Sequence, residues 1–537
     1  MQYYEEPFTK AEQAVLSRFF TNTDRPVFAL INLPEVVKGA LFARYSRSSK
    51  SIRRLFLDEF VADPETGIEA MAQSLGGDDS LIDMRRAETL YQKVFFDYGD
   101  DSVAQLGGTH LACEQASNIL TKVLEWGRLA AYLEQSTRYI VYDARLGERY
   151  RYFTPPEIAD SPLAGEYGQY MEHLFDTYAG IVAGMKGVYE ERFPKAETDS
   201  NFVYNSTIRA KACDAARGLL PASTQSNVGI YGTGQAYEMA LVRMQAHPLL
   251  EVQRYGEMML EELRKVIPSF LTRVDLPDRG RRWSGYLDDV RIRLEVEAAR
   301  LPDQPMPAAS VTLTDWDPEA EVKLVAAALY AASELPDRQL FEIASNMGAE
   351  DRARVIAAMV GERSNRRHKP GRAMERTAYR FDVLCDFGAF RDLQRHRMLT
   401  LEWQRLGTRL GYDTPPDIVE AGHGPAWVGV MDRAGELYEK TRDLLGADVA
   451  QYVVPFAFNI RFMMEMSPRE AFHLIELRTQ PAGHTTYRRV CQEMHRQIRD
   501  VAGHHLVADA MKYVDYSDVD LERLESERRA EAKRSAS

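Results

Sequence analysis

Apolar residues recur at three- and four-residue spacing along much of the chain, the period of a helix with one buried face. In ASNILTKVLEWGRLAAYL, Ile119, Leu120, Val123, Leu124, Leu129 and Leu133 keep that period and predict one long amphipathic helix. LPEVVKGALFARYS near the start and DPEAEVKLVAAALYAAS, Asp317 to Ser333, each read as a helix introduced by Pro-Glu, proline being well suited to a first helical turn. Strand-like alternation is rarer, and YRFDVLCDF is its clearest case. The pattern predicts an α+β fold in which a small sheet packs with several long helices.

The order of elements repeats. The two Pro-Glu helices open the two halves. Later come two A-x-x-x-x-P runs, ARGLLP (Ala216 to Pro221) and AQYVVP (Ala450 to Pro455), each read as preceding a long helix. Each half then has a helix ending in an apolar-Arg pair, MALVR with Arg243 and LIELR with Arg478. Repetition on this scale implies duplication of one domain. Composition places the first copy at 1–275, a charged and Pro-rich connector at 276–310 and the second copy at 311–520. The charged tail at 521–537, LERLESERRAEAKRSAS, reads as a helix fraying into solvent.

Length and charge narrow the function classes. A chain of 537 residues exceeds one ordinary core. It contains no apolar run long enough to span a bilayer, and its start, MQYYEEPFTK, lacks the features of a secretory signal. Cys113, Cys213, Cys385 and Cys491 are far apart, without metal-ligand spacing, which suggests free thiols in a reducing cytoplasm and no metal site. The formal net charge of -13 argues against broad nucleic-acid binding, as does the lack of aromatic interleaving around the arginines. A local basic pocket for a small anion remains compatible with it.

Two stretches suggest such a pocket. RDLQRHRMLT sets Arg395, His396 and Arg397 side by side, and LEQSTRYIVYD alternates Glu134, Ser136 and Arg138. A hydroxyl beside a guanidinium suits a phosphate monoester, because arginine offers a planar fork of donors.

These residues resemble the flavin-dependent thymidylate synthases, whose signature is R-H-R-x-x-S-x-N-E-x-S-x-R-Y. The C-terminal half keeps the front, Arg395-His396-Arg397 and Thr400, then departs with Trp403, Arg405 and Gly407. The N-terminal half has Trp126, Gly127 and Arg128 at the front but matches the back with Glu134, Ser136, Arg138 and Tyr139. Arg217 in ARGLLP matches a nucleotide-contacting arginine of the family, where the second copy has Gln451. In SPREAFHLIELR, Arg469 and Arg478 agree with a helix that contacts flavin and pyrimidine, whereas Ser467 and His473 replace asparagines. A further flavin element resembles GDDSVAQ, with Ser102 kept and Asp100 and Gln105 substituted.

The resemblance implies reductive methylation of deoxyuridylate (dUMP) to thymidylate, with FAD as cofactor and methylenetetrahydrofolate and NADPH as cosubstrates. It assigns Glu134, Ser136, Arg138, Arg217 and Arg395 to the nucleotide. Arg395, His396, Arg397, Ser467, Arg469, His473 and Ser102 fall to flavin, and Arg478 or Arg243 to charge developing on the pyrimidine. Because the family builds sites from four identical subunits, a homodimer of this duplicated chain is expected to imitate the tetramer, with about half the number of sites. A related pyrimidine-nucleotide (hydroxy)methyltransferase and a non-catalytic nucleotide-binding paralogue are the alternatives.

Overall fold

The computed structural model describes residues 6–24, 28, 30–33, 35, 37–38, 41–42, 50–62, 105–138, 140–145, 147–302, 308–521 and 523–536. Two compact units emerge. One comprises Met1–Cys113, Leu129–Leu133 and Asn227–Leu301; the other comprises Glu114–Arg128, Glu134–Ser226 and Pro302–Ser537. Compactness thus cuts across the sequence halves, and the second unit draws on both copies of the repeat. Among the described residues no helix is long and apolar enough to cross a membrane.

The first unit contains most of a three-stranded sheet ordered β1-β3-β2, formed by Gly108–Ser117 (β1), Ala130–Glu134 (β2) and Gln225–Thr233 (β3). Helices Gly234–Gln245, Leu250–Arg264 and Gly280–Ala298 follow. The last occupies much of the segment expected to be a connector, so 276–310 is not simply a linker. The early LPEVVKGALFARYS helix lies largely outside the described residues.

The single long helix expected over ASNILTKVLEWGRLAAYL does not form. Ser117 ends β1 and caps a short helix, Asn118–Leu124, by accepting from the Leu120 N–H at 3.0 Å. The chain turns at Glu125 to Leu129 and re-enters a sheet as β2. Sheet pairing overrides a helical period that continues through the turn.

The second unit is built on an antiparallel sheet ordered β4-β5-β7-β6, with Val311–Trp316 (β4), Tyr379–Asp386 (β5), Leu399–Trp403 (β6) and Asn459–Met466 (β7). YRFDVLCDF forms the expected strand. Its buried Tyr379, Phe381, Val383 and Cys385 face Met466, Met464, Phe462 and Ile460 in register, the period-two burial of a one-sided sheet. The predicted Asp317–Ser333 helix is present as Ala320–Tyr330. All four cysteines are buried free thiols.

The two A-x-x-x-x-P runs meet inside this unit. Pro221 bridges Pro455 in antiparallel fashion; Ala222 N donates to Val454 O at 2.8 Å, and Phe456 N to Leu220 O at 2.9 Å. Antiparallel pairing of equivalent repeat positions defines a local two-fold axis between the copies. Each run passes through a 3-10 turn, Arg217–Leu219 and Gln451–Val453, and then into a strand, β3 or β7. The helices read as following these runs, Gly234–Gln245 with Arg243 and Pro468–Arg478, begin beyond those strands.

Candidate functional site

The second unit assembles a buried cluster of cations from both copies of the repeat. Arg138 follows β2 in a turn where Ser136 Oγ accepts its backbone N–H at 3.3 Å. Its guanidinium, 9% exposed, grips Asp214 on helix Asn201–Ala216 in a fork, Nε to Oδ1 at 2.8 Å and Nη2 to Oδ2 at 2.7 Å. Nη1 donates to the Tyr487 hydroxyl at 2.8 Å. Arg478, at the end of helix Pro468–Arg478, lies 5.5 Å from the centroid of the same ring. An N-terminal-copy arginine and a C-terminal-copy arginine therefore share one aromatic partner.

Asp392, on helix Phe387–Leu393, is a second hub. It lies 3.3 Å from Arg217, 3.4 Å from Arg395 and 3.8 Å from Arg478. Glu134 is a third, with Arg391 at 2.8 Å, Lys122 at 3.4 Å and Arg395 at 3.5 Å; Lys122 also meets Glu125 at 2.6 Å. Burial opposes ionisation of Asp214, Asp392 and Glu134, yet the neighbouring arginines overcome it and hold all three well below the usual carboxylate range. Burial pushes Glu125 the other way, upward.

Counting Arg523, which reaches Asp214 at 3.2 Å, these direct contacts join seven cations to four carboxylates. With all four carboxylates ionised the excess is three positive charges; ionisation of Asp386 behind Arg217 would lower it and protonation of Glu125 would raise it, burial pushing both pKa values upward. Arg217 Nη2 is buried without a hydrogen-bond partner. A largely buried excess of this kind, open to solvent at Arg395, favours an anion.

His396 connects this cluster, through Glu470, to a cavity. Arg478 Nε faces His396 Nε2 at 3.0 Å, and His396 Nδ1 lies 3.1 Å from Glu470 Oε1. A guanidinium only donates, so Nε2 accepts and the proton sits on Nδ1, where Glu470 receives it. Burial, with Arg478 adding to it, lowers the His396 pKa to about 4 despite Glu470. The imidazole is neutral and its tautomer fixed. His473 Nδ1 approaches Glu470 at 3.2 Å, so His396, Glu470 and His473 place three metal-ligating side chains together. A cation on His396 Nδ1 would move the proton to Nε2, against the Arg478 N–H, so this triad is a hydrogen-bond relay.

The adjoining cavity, about 470 Å³, is lined by Arg397, Ser467, Arg469, Arg128, Lys369 and Glu375 among others. Arg397, Ser467 and Arg469, read from sequence as cofactor ligands, are brought together here. Ser467 also caps helix Pro468–Arg478 by accepting from Glu470 N at 3.4 Å. Arg469 is held by Pro370 O at 2.9 Å and Glu375 at 3.1 Å.

Other expected residues fall elsewhere. Arg243 lies on helix Gly234–Gln245 in the first unit, where burial lowers its pKa. Ser102, Asp100 and Tyr139 lie outside the described residues. The positions that depart from the signature are structural. Trp403 packs edge-on against Trp126 at 5.7 Å, and Gln451, where the first copy has Arg217, accepts from Leu406 N at 3.0 Å. Sequence reasoning missed Tyr487, Asp214, Asp392, Arg391 and Lys122. Lys122 and Arg391 could have been found by superposing the repeats, because they occupy the same place in two seven-residue helices, Asn118–Leu124 and Phe387–Leu393.

The family match follows the two sequence copies, not the two compact units. Residues 55–269 and 312–503 each match the family described as thymidylate synthase complementing protein. Similar full-length relatives are the UPF0159 proteins of Chlamydia muridarum (strain MoPn / Nigg), 38% identical over 98% of this chain and 99% of that protein, and of Chlamydia pneumoniae, 37% identical over 98% and 99%. A crystal structure of the UMP/dUMP methylase PolB from Streptomyces cacaoi, bound with 5-Br dUMP, aligns at 18% identity over 38% of this chain and 93% of that one, with a TM-score of 0.30. With two matched segments that together cover most of its length, the chain belongs to the thymidylate synthase complementing protein family, as a tandem two-domain member.

Proposed function

We propose that this protein is an FAD-dependent thymidylate synthase that methylates dUMP at C5, with methylenetetrahydrofolate as carbon source and NADPH as reductant. The observation that carries the reading is the excess of positive charge in one largely buried cluster, pooled from the buried Arg138 and Arg217 of one copy and the half-buried Arg478 and more exposed Arg395 of the other. A nucleotide monophosphate supplies two negative charges and a polar ring edge, which suits that excess. Arg138, Arg217 and the Ser136 hydroxyl hold the phosphate. Glu134, side chain fully buried among Arg391, Lys122 and Arg395, positions those cations.

Arg478 stabilises negative charge developing on the pyrimidine, the electrostatic role that generally contributes most to such catalysis. His396 and Glu470 fix its direction, because Arg478 Nε is committed to His396. The basic lining of the 470 Å³ cavity fits the flavin diphosphate: Arg128, Lys369, Arg376, Arg397 and Arg469 outnumber Glu375, Glu465 and Glu470 by two. Flavin, when bound, supplies the hydride that completes the methyl group. No cysteine is needed as nucleophile, and burial raises the thiol pKa of Cys113 to about 11 and of Cys213 and Cys491 to about 12.

Because both copies contribute to one unit, a single chain suffices for this pocket, and a homodimer would carry two. A non-catalytic nucleotide-binding role is the second reading, favoured by the carboxylates that already engage Arg138 and Arg217. Tritium release from C5-labelled dUMP, with rescue of a thymidine-requiring strain, separates the two. Flavin-dependent release supports the enzyme; tight dUMP binding without release supports the second reading.

A further inference from the structure

Arg523 lies beyond both family-matched segments, at the start of the tail expected to fray into solvent. Instead it is 3% exposed. Its Nη2 donates to Asp214 Oδ2 at 3.2 Å and its Nη1 reaches the Arg138 carbonyl at 3.4 Å. Helix Leu524–Ala536, which follows, is fastened to the helix that carries Asp214. Arg528 Nε donates to Asp199 at 2.7 Å, Ser200 Oγ meets Glu531, and Arg534 lies 4.7 Å over the Phe202 ring.

We propose that Arg523 is a positioning residue of the phosphate pocket, its charge keeping Asp214 from neutralising Arg138. The assignment rests on the nucleotide reading above. A bidentate Arg138–Asp214 pair by itself has no net charge to offer a phosphate dianion. A second guanidinium on the same carboxylate turns the pair into a three-membered group carrying one net positive charge. In a site excluded from water that residual charge is weakly screened, so the incoming dianion feels it. The C-terminal segment acts as a strap that delivers this charge to the pocket.

The test is titration calorimetry of the full chain with dUMP and with deoxyuridine, which lacks the phosphate. Arg523→Gln keeps an amide donor and removes the charge, together with the second contact to the Arg138 carbonyl; Arg523→Lys keeps the charge without the fork. Its affinity for dUMP is expected to fall roughly tenfold with that for deoxyuridine unchanged, and Arg523→Lys is expected to restore most of it. Unaltered dUMP affinity in Arg523→Gln, or equal losses for dUMP and deoxyuridine, would overturn the assignment while leaving the nucleotide reading intact. Failure of the unsubstituted chain to bind dUMP would overturn both. Should Arg523→Gln not fold, Arg523→Lys decides: near-native dUMP affinity supports the charge argument, and a tenfold loss refutes it.

Discussion

Arg138 Nη1 donates to the Tyr487 hydroxyl at 2.8 Å, while the ring beneath that hydroxyl faces the guanidinium of Arg478. Two cations from two copies of one ancestral domain are spaced by a single aromatic side chain, whose negative face tempers their repulsion. Tyr487→Phe should therefore weaken dUMP binding roughly tenfold, since a hydrogen bond to a charged group contributes about 1.5–3 kcal/mol. Flavin content should stay the same. Calorimetric titration showing native dUMP affinity in this variant would remove Tyr487 from the pocket.

Arg138→Ala tests the phosphate side directly. It leaves Asp214 buried with Arg523 as its remaining listener at 3.2 Å, and removes the forked donor set. The apparent dUMP constant should rise by about two orders of magnitude, in line with loss of a buried charge partner. The visible flavin spectrum should persist. An unchanged dUMP titration would exclude Arg138 from substrate binding.

Arg397→Ala tests the cofactor side. Arg397 lines the 470 Å³ cavity with Ser467 and Arg469, so the purified variant is expected to be colourless, or nearly so, with dUMP binding largely kept. Full flavin occupancy, read from absorbance after gel filtration, would contradict the assignment.

Acid should destabilise the protein in two stages. His396 and His484 are held neutral by burial, with pKa values lowered to about 4 and about 3. Their unfolded forms take up protons near pH 6.5, so the unfolded state binds more protons as the pH drops from there. Stability present above pH 6.5 should decline toward pH 4, on the order of 1 kcal/mol per pH unit per histidine. Below about pH 4 the lowered carboxyls of Asp214, Asp392 and Glu134 add a second loss of the same sign. Urea unfolding across this range checks it; constant stability from pH 7 to 4 would contradict a buried neutral His396.

Glu476→Ala separates folding from function. Arg363 and Glu476, 3% and 1% exposed, form a forked pair outside the cation cluster, with Arg363 Nη1 to Oε1 at 2.7 Å. Removing the carboxylate strands a buried guanidinium, which costs about 3–5 kcal/mol. The denaturation midpoint should fall accordingly, while the dUMP affinity of the folded fraction holds.

What the sequence determined by itself is the chemistry of each fragment. Period-two burial marked β5, the duplicated A-x-x-x-x-P runs marked the repeat, and the split signature set apart Glu134, Ser136 and Arg138 in one copy and Arg397, Ser467 and Arg469, which line one cavity, in the other. These are local signals, set by spacing along one strand or helix. Tertiary structure decided the partners. Asp214, Asp392, Tyr487 and Arg523 lie from 76 to 385 positions away from Arg138 in the chain, yet the first, third and fourth touch it and Asp392 acts on it through space. Whether a cation is neutralised depends on charges delivered by folding, and the two copies, paired at Pro221 and Pro455, bring their fragments into one side-chain cluster. The same holds for the 116–133 helix that did not form and the tail that did not fray: hydrogen bonds to distant backbone and side chains outweighed a local period in one case and local polarity in the other.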